Sequence, residues 1–431
     1  MSRGKYEEPK QGIPLSTWLW IVLAVLVTAA LVLGGWVLFG QDGEAEDPYE
    51  EPILKTEPSE EPTETEPTEP TEPPVQEPQL TETEKQALAI LETMTPEEKI
   101  YQLFMVTPEQ LTGWGGAVTQ TGETSRNAIA GKPVGGIIYF SQNLESRSQT
   151  IDMIQGLQES SKLGLFIGVD EEGGGVVRIA DNSAIGTTWY PAMGKISGTD
   201  KAYEVGFVTG SEIKELGFNL DFAPVADVFS NPGNTVIGNR AFSSDPEVAA
   251  QMVEACTKGF RDSGILCTLK HFPGHGDTGT DSHYGAAESK KTLEELAECE
   301  FLPFQAGIQA GANVVMIGHV TLPNVTEEDL PATLSYEIVT GLLRQELGYE
   351  GLVITDAMNM GAITNHYSSG EAATLALKAG VDVILMPKDL NAAVEGVKEA
   401  LETGDLTQDQ IDEKVLRILK IKIDAGIIAP E

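Results

Sequence analysis

The residues best suited to chemistry lie in one segment, "LKHFPGHGDTGTDSHYGAAE", at 269–288, which holds three of the five histidines of this 431-residue chain. The polar side chains of the segment are those of Lys270, His271, His275, Asp277, Asp281 and His283. Imidazole titrates near neutral pH, and Lys, His and Asp are donors and acceptors for polar ligands. The segment therefore suits proton transfer, metal binding or, as the plainest alternative, a loop whose histidines bond to backbone.

The spacing within this segment favours proton transfer over a metal site. Zinc ligands usually stand at fixed spacings on rigid elements, whereas the candidates here are separated by glycines and include no cysteine. Asp281 and His283 are two residues apart, so an extended backbone directs both side chains to the same side. An Asp that accepts from one imidazole nitrogen fixes the tautomer and raises the basicity of the other nitrogen. Such a pair needs a nucleophile or base from elsewhere in the fold.

Short apolar segments alternate with amphipathic stretches from residue 84 onward and predict the elements that position these residues. The apolar segments lie at 102–106, 135–140, 165–170, 219–225, 266–272, 314–320, 351–357 and 381–387. Each is bounded by turn residues, as buried parallel strands are. Helical patterns lie between them, among them one that opens with Asp245 and Pro246 and stops at Gly264. The pattern predicts an α/β fold, a (β/α)8 TIM-type barrel, with a doubly wound open sheet as the alternative.

Polar residues collect where the predicted strands end. They are Asp170, Asp221, Lys270, His271, His319 and Asp356. In a barrel, the carboxyl ends of the strands share one face, and reactive groups lie there. The sequence therefore predicts a single site on that face.

Several motifs of this chain, taken together, resemble one enzyme family. "KHFPGHGDTGTDSH" looks like the signature of the β-N-acetylglucosaminidases of glycoside hydrolase family 3. "IGVDEEGGGVVR", "LDFAPVADV", "IGNRAF", "PATLSYEIVTGLLRQELGYEGLVITDAM" and "AGVDVILMP" resemble the same family in the same order. The resemblance covers nearly all of residues 90–425. It implies a retaining exo-acting β-N-acetylhexosaminidase, a single catalytic domain without metal or organic cofactor, acting on peptidoglycan fragments or related glycans.

The resemblance also implies roles for individual residues. Asp356 matches the nucleophile, His283 the acid/base and Asp281 its partner. The residues that match those gripping the sugar hydroxyls are Asp170, Arg240, Lys270 and His271. Two departures stand out: Gly175 occupies a position where the family usually has arginine, and "YGAAE" follows "DSH" where a proline is common. Neither removes a group with a role in catalysis. Within the family, a β-glucosidase and a phosphorylase are the alternatives, and outside enzymes a glycan-binding protein with an inactive site.

The N-terminal part predicts a membrane anchor. Residues 18–39 read "WLWIVLAVLVTAALVLGGWVLF" and carry no charge. A helix formed by this segment is long enough to cross a bilayer. Basic residues precede this run, and an acidic stretch follows it, so the positive-inside rule keeps residues 1–14 in the cytoplasm. We expect a single-pass anchor at 15–40, with a cleaved signal peptide as the less favoured alternative.

The stretch from 41 to 83 is an acidic Pro/Thr/Glu tract. Its fifteen acids and one lysine contribute −14 of the net charge of −38, and it reads as an extended disordered linker. The remaining charge is acidic too, which disfavours nucleic acid. The catalytic domain is expected at 84–431, monomeric and outside the cytoplasmic membrane. Cys256, Cys267 and Cys299 exclude a disulfide framework as the main stabiliser.

Overall fold

The computed structural model describes residues 80–279 and 287–429. The predicted tail (1–14) and anchor (15–40), and nearly all of the linker predicted at 41–83, lie outside the described residues. In the part of the chain that is described, no helix has the length and apolar character needed to cross a bilayer.

Ten strands occur in the described residues. They are β1 Phe104–Val106, β2 Gly136–Ile138, β3 Phe166–Val169, β4 Leu220–Asp221, β5 Leu266–Phe272, β6 Ala287–Glu288, β7 Val314–Ile317, β8 Val320–Thr321, β9 Leu352–Thr355 and β10 Ile384–Leu385. Every segment predicted to be a strand contains one.

The α-helices of the described residues are α1 Glu82–Thr93, α2 Pro96–Gln102, α3 Pro108–Thr112, α4 Glu123–Gly131, α5 Arg147–Ser160, α6 Thr199–Glu215, α7 Pro246–Ser263, α8 Leu293–Glu298, α9 Phe301–Gln309, α10 Gly361–Thr364, α11 Ser369–Ala379, α12 Leu390–Thr403 and α13 Gln408–Asp424. A π-helix spans Glu337–Glu346, and 3₁₀ turns lie at Ser141–Asn143, Met193–Lys195, Gly238–Arg240 and Ala332–Leu334.

Eight of the strands form one parallel sheet in the order β10-β1-β2-β3-β4-β5-β7-β9. The sheet closes between its two edge strands: Thr355 N–H donates to the carbonyl of Val383 at 3.0 Å, and Val383 N–H donates to the carbonyl of Val353 at 3.0 Å. Neighbours in sequence are therefore neighbours in the barrel, with helices between them. This arrangement agrees with the predicted (β/α)8 barrel and not with an open sheet. The remaining strands, β6 and β8, form a small parallel pair beside β7.

Local signals explain where the helices begin and end. Asp245 accepts from the backbone N–H groups of Glu247 and Val248, Pro246 is the first residue of α7, and Gly264 ends it with φ 75°. The helix predicted from this pattern is confirmed. Helix α1 begins with a capping box between Thr81 and Glu84.

The interior of the barrel is filled by side chains. Met105, Phe166 and Phe222 are fully or almost fully buried there. Gly168 belongs to this packing, since a Cβ there would lie 2.5 Å from Met105 Cε. A packed interior leaves only the strand ends and their loops available for a site.

Candidate active site

A cavity of about 320 Å³ opens at the carboxyl ends of the barrel strands, within the usual volume range of small-molecule sites of about 300–1,000 Å³. Its charged and titratable lining comes from the ends of several strands and the loops after them: Asp170, Glu172, Arg178, Arg240, Lys270, His271, His275 and Asp356. Apolar walls come from Phe140, Met316 and Met386, among others. This is the face on which the sequence predicts a site.

Two cations and two carboxylates are joined at one side of the cavity. Lys270 Nζ lies 2.7 Å from Asp170 Oδ1 and 2.6 Å from Glu172 Oε1. Arg240 binds both oxygens of Glu172, at 2.8 and 2.7 Å. Burial opposes the ionisation of Glu172, but Arg240 and Lys270 outweigh it and hold the pKa of that carboxyl well below its usual value. Burial likewise opposes the charge on Lys270, and Asp170 and Glu172 reverse this by raising its pKa.

An irregularity in β5 brings two consecutive side chains to the cavity. Successive residues of a regular strand point to opposite faces, yet Lys270 and His271 both line the cavity. The pairing of β5 with β7 changes register between Leu269 and Phe272, as at a bulge. Bulges commonly redirect a side chain next to a site.

A buried aspartate organises the two histidines that follow. Asp227 Oδ2 lies 2.7 Å from His271 Nδ1, and Asp227 Oδ1 accepts from the backbone N–H of His271 at 3.2 Å and of His275 at 2.7 Å. Burial opposes the charge on Asp227, but the neighbouring His271 prevails, and the pKa of Asp227 is lowered. His275 Nδ1 lies 2.8 Å from Thr278 Oγ1, and burial lowers the pKa of that imidazole. Asp227 thus sets the orientation of His271.

Asp356 follows β9 and is partly exposed in the cavity wall. Its Oδ1 accepts from the backbone N–H of Ala357 at 2.7 Å. Burial opposes its ionisation, but the nearby His319 and His271 and this N–H lower the pKa of Asp356 below its usual value. The adjacent peptide is anchored in turn, because His319 Nε2 lies 3.1 Å from the carbonyl of Ala357 and His319 Nδ1 lies 2.7 Å from Thr333 Oγ1. The result is an ionised carboxylate held in one position.

The structure brings five of the seven predicted site residues to this cavity: Asp170, Arg240, Lys270, His271 and Asp356. The other two, Asp281 and His283, lie outside the described residues. Asp221, a polar strand-end residue, is fully buried and does not line the cavity. It accepts from the backbone N–H of Glu171, and burial raises its pKa well above the usual value, so its role is in the fold.

Sequence reasoning assigned no role to three residues that the geometry singles out: Glu172, Arg178 and Asp227. Glu172 and Arg178 stand in "DEEGGGVVR", part of a motif that resembles the family, so the sequence did mark them. In the structure, the Arg178 guanidinium lies 5.5 Å over the Phe140 ring and 3.7 Å from Asp170. Asp227 stands in "LDFAPVADV", which also resembles the family, but its partners are 44 and 48 residues away in sequence and no local pattern marks them. Among the described residues, no cluster of three or more His, Cys, Asp or Glu could hold a metal ion.

Comparison with known proteins assigns the chain to a family. Residues 95–421 match the model of the glycosyl hydrolase family 3 N-terminal domain. The chain therefore belongs to glycosyl hydrolase family 3.

Individual relatives and solved structures show which members of the family this chain resembles. β-Hexosaminidase A of Pseudoalteromonas piscicida is 37% identical over 322 residues, which cover 67% of this chain and about half, 53%, of that protein. A β-hexosaminidase of Xylella fastidiosa (strain 9a5c) is 39% identical over 272 residues, 61% of this chain and 80% of that protein. Among solved structures, a family 3 β-N-acetylglucosaminidase of Paenibacillus sp. str. FPU-7 superposes with a TM-score of 0.72 at 38% identity, covering 78% of this chain and 63% of that chain.

Proposed function

We propose that this chain is a retaining exo-β-N-acetylhexosaminidase that removes terminal β-linked N-acetylglucosamine from peptidoglycan fragments or related glycans. The observation that carries the proposal is the ionised, partly exposed carboxylate of Asp356 in the wall of a cavity that is rich in hydrogen-bonding groups. The named relatives, β-hexosaminidases 37% and 39% identical to this chain, support the choice of sugar.

The reaction has two steps. Asp356 attacks the anomeric carbon, the bond to the leaving oxygen breaks, and His283 gives that oxygen a proton, leaving a glycosyl ester on Asp356. His283 then takes a proton from water, which attacks the same carbon and frees the sugar and the carboxylate. Asp281 orients His283 in both steps. The low pKa of Asp356 keeps this nucleophile ionised at neutral pH.

The polar side of the cavity suits the hydroxyls of a sugar. Asp170 accepts hydrogen bonds, whereas Lys270, His271 and Arg240 can donate them. Glu172 supports this set from behind, since it is 3% exposed and holds both Lys270 and Arg240. The ion pairs fix the donors in place before the sugar arrives, which reduces the cost of binding.

One assay tests the proposal against its rivals. A chromogenic N-acetylglucosaminide and the matching glucoside are offered to the full chain, with and without inorganic phosphate. Hydrolysis of the N-acetylglucosaminide alone is expected. Preference for the glucoside would make it a β-glucosidase, and formation of a sugar 1-phosphate would make it a phosphorylase. A solved β-glucoside phosphorylase, 26% identical with a TM-score of 0.71, motivates the phosphate arm. Turnover of neither substrate would favour a glycan-binding protein.

The location of the enzyme is also a proposal. The uncharged run at 18–39, with basic residues before it, supports a single-pass anchor at 15–40. We place a monomeric catalytic domain outside the cytoplasmic membrane, on a linker that lets it reach glycans near the surface. The reaction needs no cofactor, since each step uses side chains of this chain and water.

A further inference from the structure

An exposed tryptophan borders a second pocket on the face that carries the cavity. Trp114 is 63% exposed and lies in the loop that follows β1 and α3. The pocket beside it has a volume of about 260 Å³ and shares no lining residue with the catalytic cavity. Its polar lining consists of hydroxyl and amide side chains: Thr112, Thr119, Gln120, Thr124 and Ser125.

Buried hydrogen bonds hold the loop that forms this pocket. Asn143, which is fully buried, donates to the carbonyl of Val118 at 3.0 Å and to Glu109 at 2.6 Å. Gln149 donates to the carbonyl of Thr119 at 2.6 Å, and Thr121 donates to the carbonyl of Met153 at 2.6 Å. Because these bonds already hold the loop in place, little conformational entropy has to be lost when a ligand binds.

The same residues tie the pocket to the catalytic cavity. Asn143 Oδ1 accepts from the backbone N–H of Phe140 at 3.0 Å, and Phe140 lines the cavity. On the other flank, Gln110 donates to the carbonyl of Pro387 at 2.5 Å, next to Met386 of the cavity wall. Asn143 is therefore bonded both to Phe140 of the cavity wall and to Val118 of the Trp114 pocket.

The chemistry of the pocket selects a neutral, hydroxyl-rich ligand. None of its lining residues is charged, although the whole chain carries a net charge of −38. An anion would find no cationic side chain in this lining and would be repelled by the chain as a whole. An indole face offers apolar area to the C–H face of a sugar ring, and hydroxyl and amide groups can both donate to and accept from sugar hydroxyls.

We infer that the Trp114 pocket is a distal saccharide-binding site, which holds a neutral sugar ring of a chain whose terminal sugar occupies the catalytic cavity. The inference rests on the proposed function for the identity of the chain. It adds a preference for oligosaccharides over short substrates.

The test compares a short and a long substrate with the full-length protein. Trp114→Ala should leave kcat/KM unchanged on nitrophenyl N-acetylglucosaminide and raise KM about tenfold on the β-1,4-linked tetramer of N-acetylglucosamine, the size of effect expected from losing one aromatic contact. Trp114→Phe, which keeps an aromatic face, should retain most of the tetramer affinity. Trp189→Ala is the matched control, since Trp189 is 51% exposed, follows β3 and lines neither pocket.

Titration calorimetry with the tetramer separates this inference from the proposed function. If no substrate is hydrolysed but the tetramer binds the wild type and not Trp114→Ala, the proposed function is wrong and the binding site stands. If the wild type hydrolyses the tetramer and Trp114→Ala shows the same KM and the same titration, the inference is overturned. Equal losses on both substrates would overturn it as well, since they would show a general defect.

Discussion

At the scale of single residues, Asp356 is the group on which the proposed chemistry depends. Asp356→Ala should abolish hydrolysis, because the other two carboxylates among the described residues of the cavity, Asp170 and Glu172, are both paired with Lys270. The melting temperature should change little, since Asp356 is partly exposed. A 2-fluoro sugar substrate analogue should form a stable ester on Asp356 that peptide mass spectrometry detects.

Asp221→Asn is the control for this variant. Asp221 also belongs to a strand end but is fully buried and does not line the cavity. Because burial raises its pKa well above the usual value, the neutral amide should preserve both activity and labelling. Label recovered on a carboxylate other than Asp356 would refute the assignment of the nucleophile.

His283 stays a prediction, because it lies outside the described residues. A nitrophenolate leaves with little protonation, whereas a sugar alkoxide requires it. His283→Ala should therefore cost orders of magnitude in kcat/KM on a disaccharide and much less on the nitrophenyl substrate. Azide should partly restore the second step by replacing activated water, and Asp281→Asn should give a milder form of the same pattern. Equal losses of kcat/KM on both substrates would indicate that His283 has a structural role only.

At the scale of elements, α13 packs against the amino ends of barrel strands, at the end opposite the site. Lys422 of this helix is fully buried, lies 4.9 Å over the Phe166 ring, and donates to Gln102 at 2.9 Å. Burial lowers its pKa from 10.5 to about 7. Between these two pH values the unfolded chain binds more protons than the folded one, so stability should rise with pH, by at most about 1.4 kcal/mol per pH unit.

Unfolding by urea at pH 6 to 8.5 checks this contribution. The free energy of unfolding of the wild type minus that of Lys422→Met should increase with pH above about 7 and be constant below it. Lys420→Met is the control, because Lys420 is on the same helix, partly exposed and paired with Glu84 at 2.8 Å. Its difference from the wild type should not depend on pH in this range. If the difference in unfolding free energy between the wild type and Lys422→Met does not change with pH, the buried lysine titrates outside the range of pH 6 to 8.5.

The elements were easier to predict than the contacts between them. The eight segments predicted as barrel strands are apolar and bounded by turn residues, and local patterning alone marks such segments. The register change in β5 depends on pairing with β7, which no local pattern encodes. The same reason explains why Asp227 was missed while Lys270 and His271 were found. A residue at a strand end is visible in sequence, but the partner that orients it is defined only by folding.

At the scale of the whole molecule, the proposed anchor and linker would decide where the enzyme works. In intact cells that produce the full chain, added protease should cut within 41–83, because this stretch is predicted to be extended and to lack a core. Activity should then appear in the medium, carried by a fragment that retains the barrel. The barrel should survive, since α1 is fastened to α13 by Lys420–Glu84 and by Thr83 Oγ1, which donates to Asp424 at 2.8 Å.

The matched control is a chain in which Leu23, Leu26 and Leu33 are replaced by lysine. Charges at the centre of the run should prevent it from spanning a bilayer, at a cost of about 2.5–3.5 kcal/mol for each charge. Activity should then be found in the soluble fraction of lysed cells without detergent, and protease outside intact cells should release none. For the wild type, activity that stays protected from protease until the cells are lysed would place the catalytic domain on the cytoplasmic side and reverse the proposed orientation.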